Sequence, residues 1–119
     1  AFAEIRGNAK NKDIIGEANF YYTPLGVLIS VCIKGFESKR KTYNIRIEDN
    51  FRSKQGACVL PPLYERGGYA FFSSLTGKIT PGELLENRIS VSSYHGGADE
   101  AMAFGYIETV LPKKEAQIV

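Results

Sequence analysis

Apolar and polar residues alternate along several short runs of this chain, and that alternation is its strongest structural signal. In residues 27–34, one side of an extended chain holds Val27, Ile29, Val31 and Ile33. Side chains of a strand point alternately to the two faces of its sheet, so a period of two predicts a half-buried antiparallel strand. By this criterion we predict strands over residues 2–6, 17–22, 27–34, 42–48, 69–75, 88–93 and 101–110.

Residues that break regular structure separate these strands. Residues 49–67 are polar, contain Pro61-Pro62 and predict a long loop, and the pairs Gly67-Gly68 and Gly96-Gly97 predict turns. Thr80-Pro81-Gly82-Glu83 resembles a helix start, with a threonine cap and proline at the first position, and predicts a short helical turn. Seven or eight short strands in one chain predict an all-β fold, a β-sandwich or flattened barrel.

Composition limits the classes of protein to consider. A chain of 119 residues forms one domain, here residues 1–119, and 44% hydrophobic with 24% charged residues is typical of a folded globular protein. The net charge of +2 is too small to predict nucleic-acid binding. The basic run Lys39-Arg40-Lys41 is typical of a solvated loop, with a phosphate-binding patch as the alternative. No run approaches the roughly 18 apolar residues of a membrane span, so we expect no membrane partner.

The two cysteines predict reduced thiols. Cys32 lies inside an apolar strand and is interpreted as a small buried hydrophobe, whereas Cys58 follows a polar loop. A bridge between them stays open as an alternative. Reduced thiols fit a cytoplasmic protein, although the chain starts at Ala1 and a processed N-terminus is also compatible with the sequence.

Several segments, in order, resemble the copper,zinc superoxide dismutase family. Residues 5–20 (I-R-G…I-I-G-E-A-N-F) are similar to its opening hairpin, and residues 26–36 (G-V-L-I-S-V-C-I-K-G-F) to its third strand. Residues 60–71 and 75–85 resemble a bacterial branch, and residues 101–107 the closing strand. The resemblance covers most of the chain and implies a Greek-key β-sandwich or flattened barrel of about eight strands, with a homodimer as the family's habit.

The metal ligands implied by the resemblance are replaced in this sequence. Asn44 and Arg46 occupy the positions of a copper-binding H-x-H pair, and an arginine does not give up its proton to bind a metal. The family carries a further copper-binding histidine at the end of the strand that here begins at Arg88. Counting forward from Arg88 places it at Ser93, and counting back from Gly96-Gly97 places it at Tyr94. The remaining replaced positions are Val59 for the aspartate of the bacterial branch, Ala101 for the arginine that guides superoxide, and Phe104 for a disulfide cysteine.

Only one histidine remains in the chain, His95. Asp99 and Glu100 follow closely, so a weak adventitious metal site is an alternative, but one histidine without a second strong ligand predicts a solvated loop residue. The zinc loop of the family is deleted between Glu48 and Leu60. We therefore expect neither copper, zinc nor any other cofactor, and no superoxide dismutase activity.

Three functions follow from this sequence. The first is a non-catalytic relative of the dismutases, a pseudoenzyme that serves as a binding or interaction module. The second is an enzyme of another kind that binds an anion on the former copper face through Asn44, Arg46 and Ser93. The third is a plain structural or self-associating β-domain.

Overall fold

The fold is described from a computed structural model, over residues 1–49, 58–77, 87–93 and 101–109. These residues form nine strands, seven long and two of only two residues. The strands are β1 (Phe2–Gly7), β2 (Ile15–Thr23), β3 (Gly26–Lys34), β4 (Thr42–Asp49), β5 (Cys58–Val59), β6 (Leu63–Tyr64), β7 (Tyr69–Thr76), β8 (Asn87–Ser93) and β9 (Ala101–Glu108).

All nine strands belong to one antiparallel sheet that curls into a nearly closed barrel. The order across the sheet is β5-β4-β8-β9-β1-β2-β3-β7, and β6 pairs with β4. The tight turn after β6 leads directly into β7 and brings the two ends of the sheet together. The prediction of an all-β domain is therefore confirmed over the described residues, which contain no helix.

The core fills the inside of this curled sheet, as the alternation predicts. Val27, Ile29, Val31 and Ile33 of β3 are all buried, and their polar neighbours in sequence point outward. On β4, Ile45 and Ile47 are fully buried in the same way. Burial of side chains this size contributes about 1.5–3 kcal/mol each, so the inward rows alone account for much of the driving force for folding.

The seven predicted strands exist, with ends that shift by one or two residues where the described chain shows them. The short strands β5 and β6 lie inside the predicted loop 49–67, because two residues are too few to show a period of two in the sequence. The predicted helical turn from Thr80, and the end of the last predicted strand at Val110, lie outside the described residues. So do Tyr94, His95 and the Gly96-Gly97 turn.

Gly67 and Gly68 form the predicted turn. Arg66 and Tyr69 exchange backbone hydrogen bonds of 2.8 and 3.1 Å across it. Both glycines have positive φ, +63° and +87°, which the central residues of a type I′ hairpin turn require and which glycine adopts without strain.

The interpretation of Cys32 as a buried residue is wrong. Cys32 is an exposed free thiol on the outer face of β3, between the neighbouring strands β2 and β7. Its apolar sequence neighbours Val31 and Ile33 point inward, so the residue between them points outward.

Candidate functional site

Polar residues of β4 and β8 form a row on the side of the sheet that faces away from the barrel interior, and we call this row the polar face. Three of its members, Glu48, Ser90 and Ser92, are nevertheless buried. The register pairs Asn44 with Ser92, Arg46 with Ser90, and Glu48 with Arg88. Residues paired across two strands share a face, so these six side chains lie on one side, opposite the inward row of β4. The structure therefore brings the predicted site residues Asn44 and Arg46 together with four polar side chains that the sequence did not single out.

Glu48 lies at the centre of the charge pattern on the polar face. Its carboxylate is only 6% exposed, accepts a hydrogen bond from the Ser90 hydroxyl and lies 3.5 Å from the Arg88 guanidinium. That guanidinium in turn lies 4.9 Å from the centre of the Phe104 ring, a favourable cation–π distance. A carboxylate this deeply buried is stable only when it is paired, and here its partners come from the same chain.

Arg46 is half-buried in the same row, between Ser90 on β8 and Val59 on β5. Its Nε atom is buried and has no hydrogen-bond partner among the described residues. A buried N–H without a partner lowers the free energy of unfolding by about 1–3 kcal/mol. The Nε of Arg46 is therefore an unfavourable group on the polar face unless a ligand binds it. A guanidinium has five donors and no acceptor, so an anion would satisfy it and a metal ion would be repelled.

Ser93, the third predicted site residue, lies on the other side of the sheet. It pairs with Tyr43, whose ring is buried in the core, while the Asn44 amide donates a 3.4 Å hydrogen bond to the Ser93 carbonyl. The sequence indicates this orientation, because Ser93 follows Ile89 and Val91 at intervals of two residues, and both of these side chains point inward. Assignment by resemblance alone missed it.

Ser93 instead lines an open cleft of about 500 Å³ at one end of the barrel, which we call the end cleft. Two segments form its walls, the turn between β1 and β2 and the loop between β3 and β4. At its base, the Phe36 and Tyr43 rings are stacked with their centres 4.5 Å apart, beside Ile14 and Met102. All three of Ile14, Phe36 and Tyr43 are buried, so the base of the cleft is apolar.

Three exposed lysines stand around the end cleft: Lys10, Lys12 and Lys41. None of them forms an ion pair with a described residue. Glu37 also lines the cleft, but its carboxylate lies 2.7 Å from Lys39, whose hydrogen bond and charge lower the Glu37 pKa. Asp13 is therefore the remaining carboxylate without such a partner, and the cleft is electropositive. The sequence alone does not reveal this cleft, because its lysines come from segments about 30 residues apart.

Glu65 holds the β3–β4 loop in place from inside the fold. Its fully buried carboxylate accepts backbone N–H groups from Lys39, Lys41 and Gly68, at 2.9–3.1 Å. These hydrogen bonds, led by that of Gly68, lower the pKa of Glu65 and keep it ionised. Arg40 adopts a left-handed φ of +54° in the same loop. Lys41 therefore reaches the cleft from a loop fixed by an internal carboxylate.

Within residues 1–49, 58–77, 87–93 and 101–109, no three His, Cys, Asp or Glu side chains converge on a point that could hold a metal ion. Those residues also contain no helix long and apolar enough to cross a membrane. His95, Asp99 and Glu100, which the sequence names as a weak alternative site, lie outside the described residues.

Comparison of the whole sequence with models of known protein families gives no match. A search of curated protein sequences likewise finds no significant relative.

Proposed function

We propose that this chain is a degenerate relative of the copper,zinc superoxide dismutases, a non-catalytic interaction domain that associates with a second copy of itself. The observation that carries the proposal is an exposed apolar surface on β2, β3 and β7. The ancestry rests on the sequence resemblance, and the strand order and the polar face support it.

The strand order supports a Greek-key arrangement. Strands β4, β6 and β7 come in this order along the chain, with the two-residue β5 between β4 and β6. β4 pairs with β6, and the two-glycine turn joins β6 to β7. β8 then returns by a longer connection to pair with β4. Three consecutive strands with the fourth beside the first are the defining pattern of a Greek key.

The polar face supports loss of the metal chemistry. The two positions that resemble copper ligands carry an amide and a guanidinium, Asn44 and Arg46. Next to them, Glu48 binds Ser90 and Arg88. A cluster of this kind stabilises the sheet from outside and leaves no donor set suited to copper among its members.

The apolar surface lies on the outer side of β2, β3 and β7. Tyr21, Leu28 and Leu75 form one row across the three strands. Further along β7, beyond Ser73, Phe71 shares a row with Cys32 and Glu17, and Tyr69 lies beside Lys34. We call the five apolar residues, Tyr21, Leu28, Tyr69, Phe71 and Leu75, the apolar face. Exposed apolar patches of this kind on an otherwise polar protein mark interaction surfaces.

The area of the apolar face fits a second copy of this chain. Its five side chains expose between 36% and 77% of their surface, roughly 550 Å² together if a whole side chain of this size presents about 200 Å². That is about two thirds of the roughly 800 Å² that each partner gives a standard interface. Homodimer interfaces are about 65% apolar. The polar part of this interface would come from the neighbouring row across the same strands, which consists of Asn19, Ser30 and Ser73.

Sedimentation over a range of protein concentrations tests self-association. Tyr21 and Tyr106 are equally exposed, at 53% and 52%, but Tyr106 lies on β9, separated from β3 by β1 and β2. We expect Tyr21→Glu to weaken association about tenfold or more, because it places a charge in the apolar row, and Tyr106→Glu to leave it unchanged. A monomer at every concentration, or equal effects of the two substitutions, would rule out this face.

Cys32 offers an independent test, because its exposed thiol lies beside Phe71 on the proposed interface. In a Cys58→Ser background, a short bismaleimide should cross-link two chains through Cys32. Tyr21→Glu should abolish the cross-link.

Elemental analysis tests the loss of metal chemistry. Protein purified from medium supplemented with copper and zinc should hold neither metal in stoichiometric amount and should not dismutate superoxide. A stoichiometric copper that disappears in His95→Ala, together with dismutase activity, would overturn this part of the proposal.

The alternative function is an enzyme of another kind that binds an anion on the former copper face, with Asn44, Arg46 and Ser93 as its ligands. The buried Nε of Arg46, which has no hydrogen-bond partner within the described part of the chain, favours it. The opposite orientation of Ser93 leaves Asn44 and Arg46, with Ser90 and Ser92, as the groups on that face. Amide chemical-shift changes at Asn44 and Arg46 during titration with inorganic phosphate, absent in Arg46→Met, would support it. Identical titrations of the two proteins would exclude it.

A further inference from the structure

The end cleft combines three features that belong to small-molecule sites. Its volume of about 500 Å³ falls within the roughly 300–1,000 Å³ typical of such sites. Its base is aromatic and apolar, formed by Phe36, Tyr43 and Met102. Its rim carries cations that the described chain does not neutralise.

The charges around the cleft set the charge of its ligand. Lys10, Lys12 and Lys41 line the cleft together with two carboxylates, those of Asp13 and Glu37. Lys39, just outside the lining, pairs with Glu37, so the rim as a whole carries four cations against two carboxylates, and this excess of two positive charges favours a dianion. Lysine ammonium groups act as flexible point charges, so they select for charge rather than for one anion geometry.

Hydrogen-bonding groups lie between the rim and the base. Ser93, Thr42 and Asn11 also line the cleft, and the Asn11 amide donates a hydrogen bond to the Asn8 side chain at 2.8 Å. Burial, and after it the charges of Glu65 and Glu37, raise the pKa of Tyr43, so its hydroxyl stays protonated. We propose that the end cleft binds a small organic dianion, a phosphate monoester or a dicarboxylate, whose apolar or aromatic group rests on the Phe36–Tyr43 stack. This site is separate from the apolar face and does not depend on self-association.

Titration of the ¹⁵N-labelled protein with phenyl phosphate tests the proposal. We expect chemical-shift changes in the amides of Ile14, Gly35, Phe36, Tyr43 and Met102, and none in the outer row of β3. Phthalate, a dicarboxylate with the same ring, shows whether the site accepts carboxylates as well as phosphates. Binding of only one of the two assigns the ligand to that class.

Two further probes separate the roles of charge and ring. Inorganic phosphate lacks the ring and benzyl alcohol lacks the charge, so both should bind at least about tenfold more weakly than phenyl phosphate. Inorganic phosphate binding as tightly as phenyl phosphate would contradict a role for the aromatic base. Benzyl alcohol binding as tightly would contradict a role for the lysines.

Lysine substitutions locate the site. Lys10→Gln, Lys12→Gln and Lys41→Gln should each weaken phenyl phosphate binding about threefold, the effect of one partly solvated charge pair. Lys34→Gln is the matched control, because Lys34 is exposed on the outer side of β3, away from the cleft. Equal effects of all four substitutions, or no chemical-shift change with either dianion at millimolar concentration, would overturn the proposal.

Discussion

The polar face and the end cleft both adjoin β4, and they differ in how their charges are balanced. On the polar face, Glu48 has partners in Ser90 and Arg88, and Arg88 also packs on an aromatic ring. Around the end cleft, three lysines have no ion-pair partner among the described residues, and the cavity between them is open. Charges that are balanced within the fold serve stability, whereas unbalanced charges around a cavity are available to a ligand.

Glu65 is also a charge that is balanced within the fold, although it lies behind the loop that borders the end cleft. Its internal carboxylate accepts hydrogen bonds from two backbone N–H groups of that loop and from one in the turn after β6. The comparison therefore predicts a ranking: substitutions of buried carboxylates lower stability, and substitutions on the rim of the cleft do not.

Glu65→Ala should cause the largest loss of stability, measured by urea denaturation. The backbone N–H groups of Lys41 and Gly68 would lose their acceptor, and that of Lys39 would keep only the Glu37 carbonyl. A donor that loses its partner away from water carries a desolvation cost. Glu17→Ala is the control, since Glu17 is exposed on the outer face of β2. Equal stability of the two variants would contradict the anchoring role.

Stability should also fall in acid because of Glu65. Its pKa lies below the ordinary value of 4.5 in the folded protein, so the ionised form stabilises the fold fully above about pH 4.5. That contribution is lost as the pH falls through the lowered folded pKa. Glu65→Gln should flatten the decline in unfolding free energy below pH 4.5. An unchanged decline would assign the acid sensitivity to other carboxylates.

Glu48→Gln should destabilise the protein by about 2 kcal/mol, because a charge-assisted hydrogen bond contributes about 1.5–3 kcal/mol. The substitution preserves volume and removes only the negative charge beside Arg88 and Ser90. Urea denaturation provides the measurement, again with an exposed glutamate as control. A change below about 0.5 kcal/mol, typical of exposed positions, would mean that the polar face does not stabilise the sheet.

Arg46→Met should leave stability unchanged or raise it by up to about 1 kcal/mol. The substitution removes a buried N–H that has no partner among the described residues and keeps an apolar side chain of similar length. Thermal unfolding with and without phosphate provides the measurement. A clear loss of stability already in the absence of phosphate would contradict this reasoning, because it would mean that Arg46 has an internal partner.

Lys12→Gln should have the smallest effect, within about 0.5 kcal/mol, because the lysine is exposed and unpaired among the described residues. Its effect should appear in ligand binding instead. A destabilisation as large as that of Glu48→Gln would abolish the distinction between the two regions.

The sequence determined the strands and the core. Period two in residues such as Val27, Ile29, Ile45 and Ile47 fixes which side of each strand is buried, and this is a local property of the chain. The same rule contains the orientations of Cys32 and Ser93, which neither the apolar neighbours of Cys32 nor the family resemblance of Ser93 indicates.

Only the tertiary structure decided where the chemistry lies. The pairing of Glu48 with Arg88, and the anchoring of the 39–41 loop by Glu65, depend on contacts between residues 24 to 40 positions apart. The end cleft likewise joins Lys12 to Lys41 and both to Ser93. A local pattern carries no information about such distances, because sheet order and the closing of the barrel set them. Alternation along the chain therefore determined the strands and the side that each of them buries, and the fold alone decided which charges remain free for a ligand.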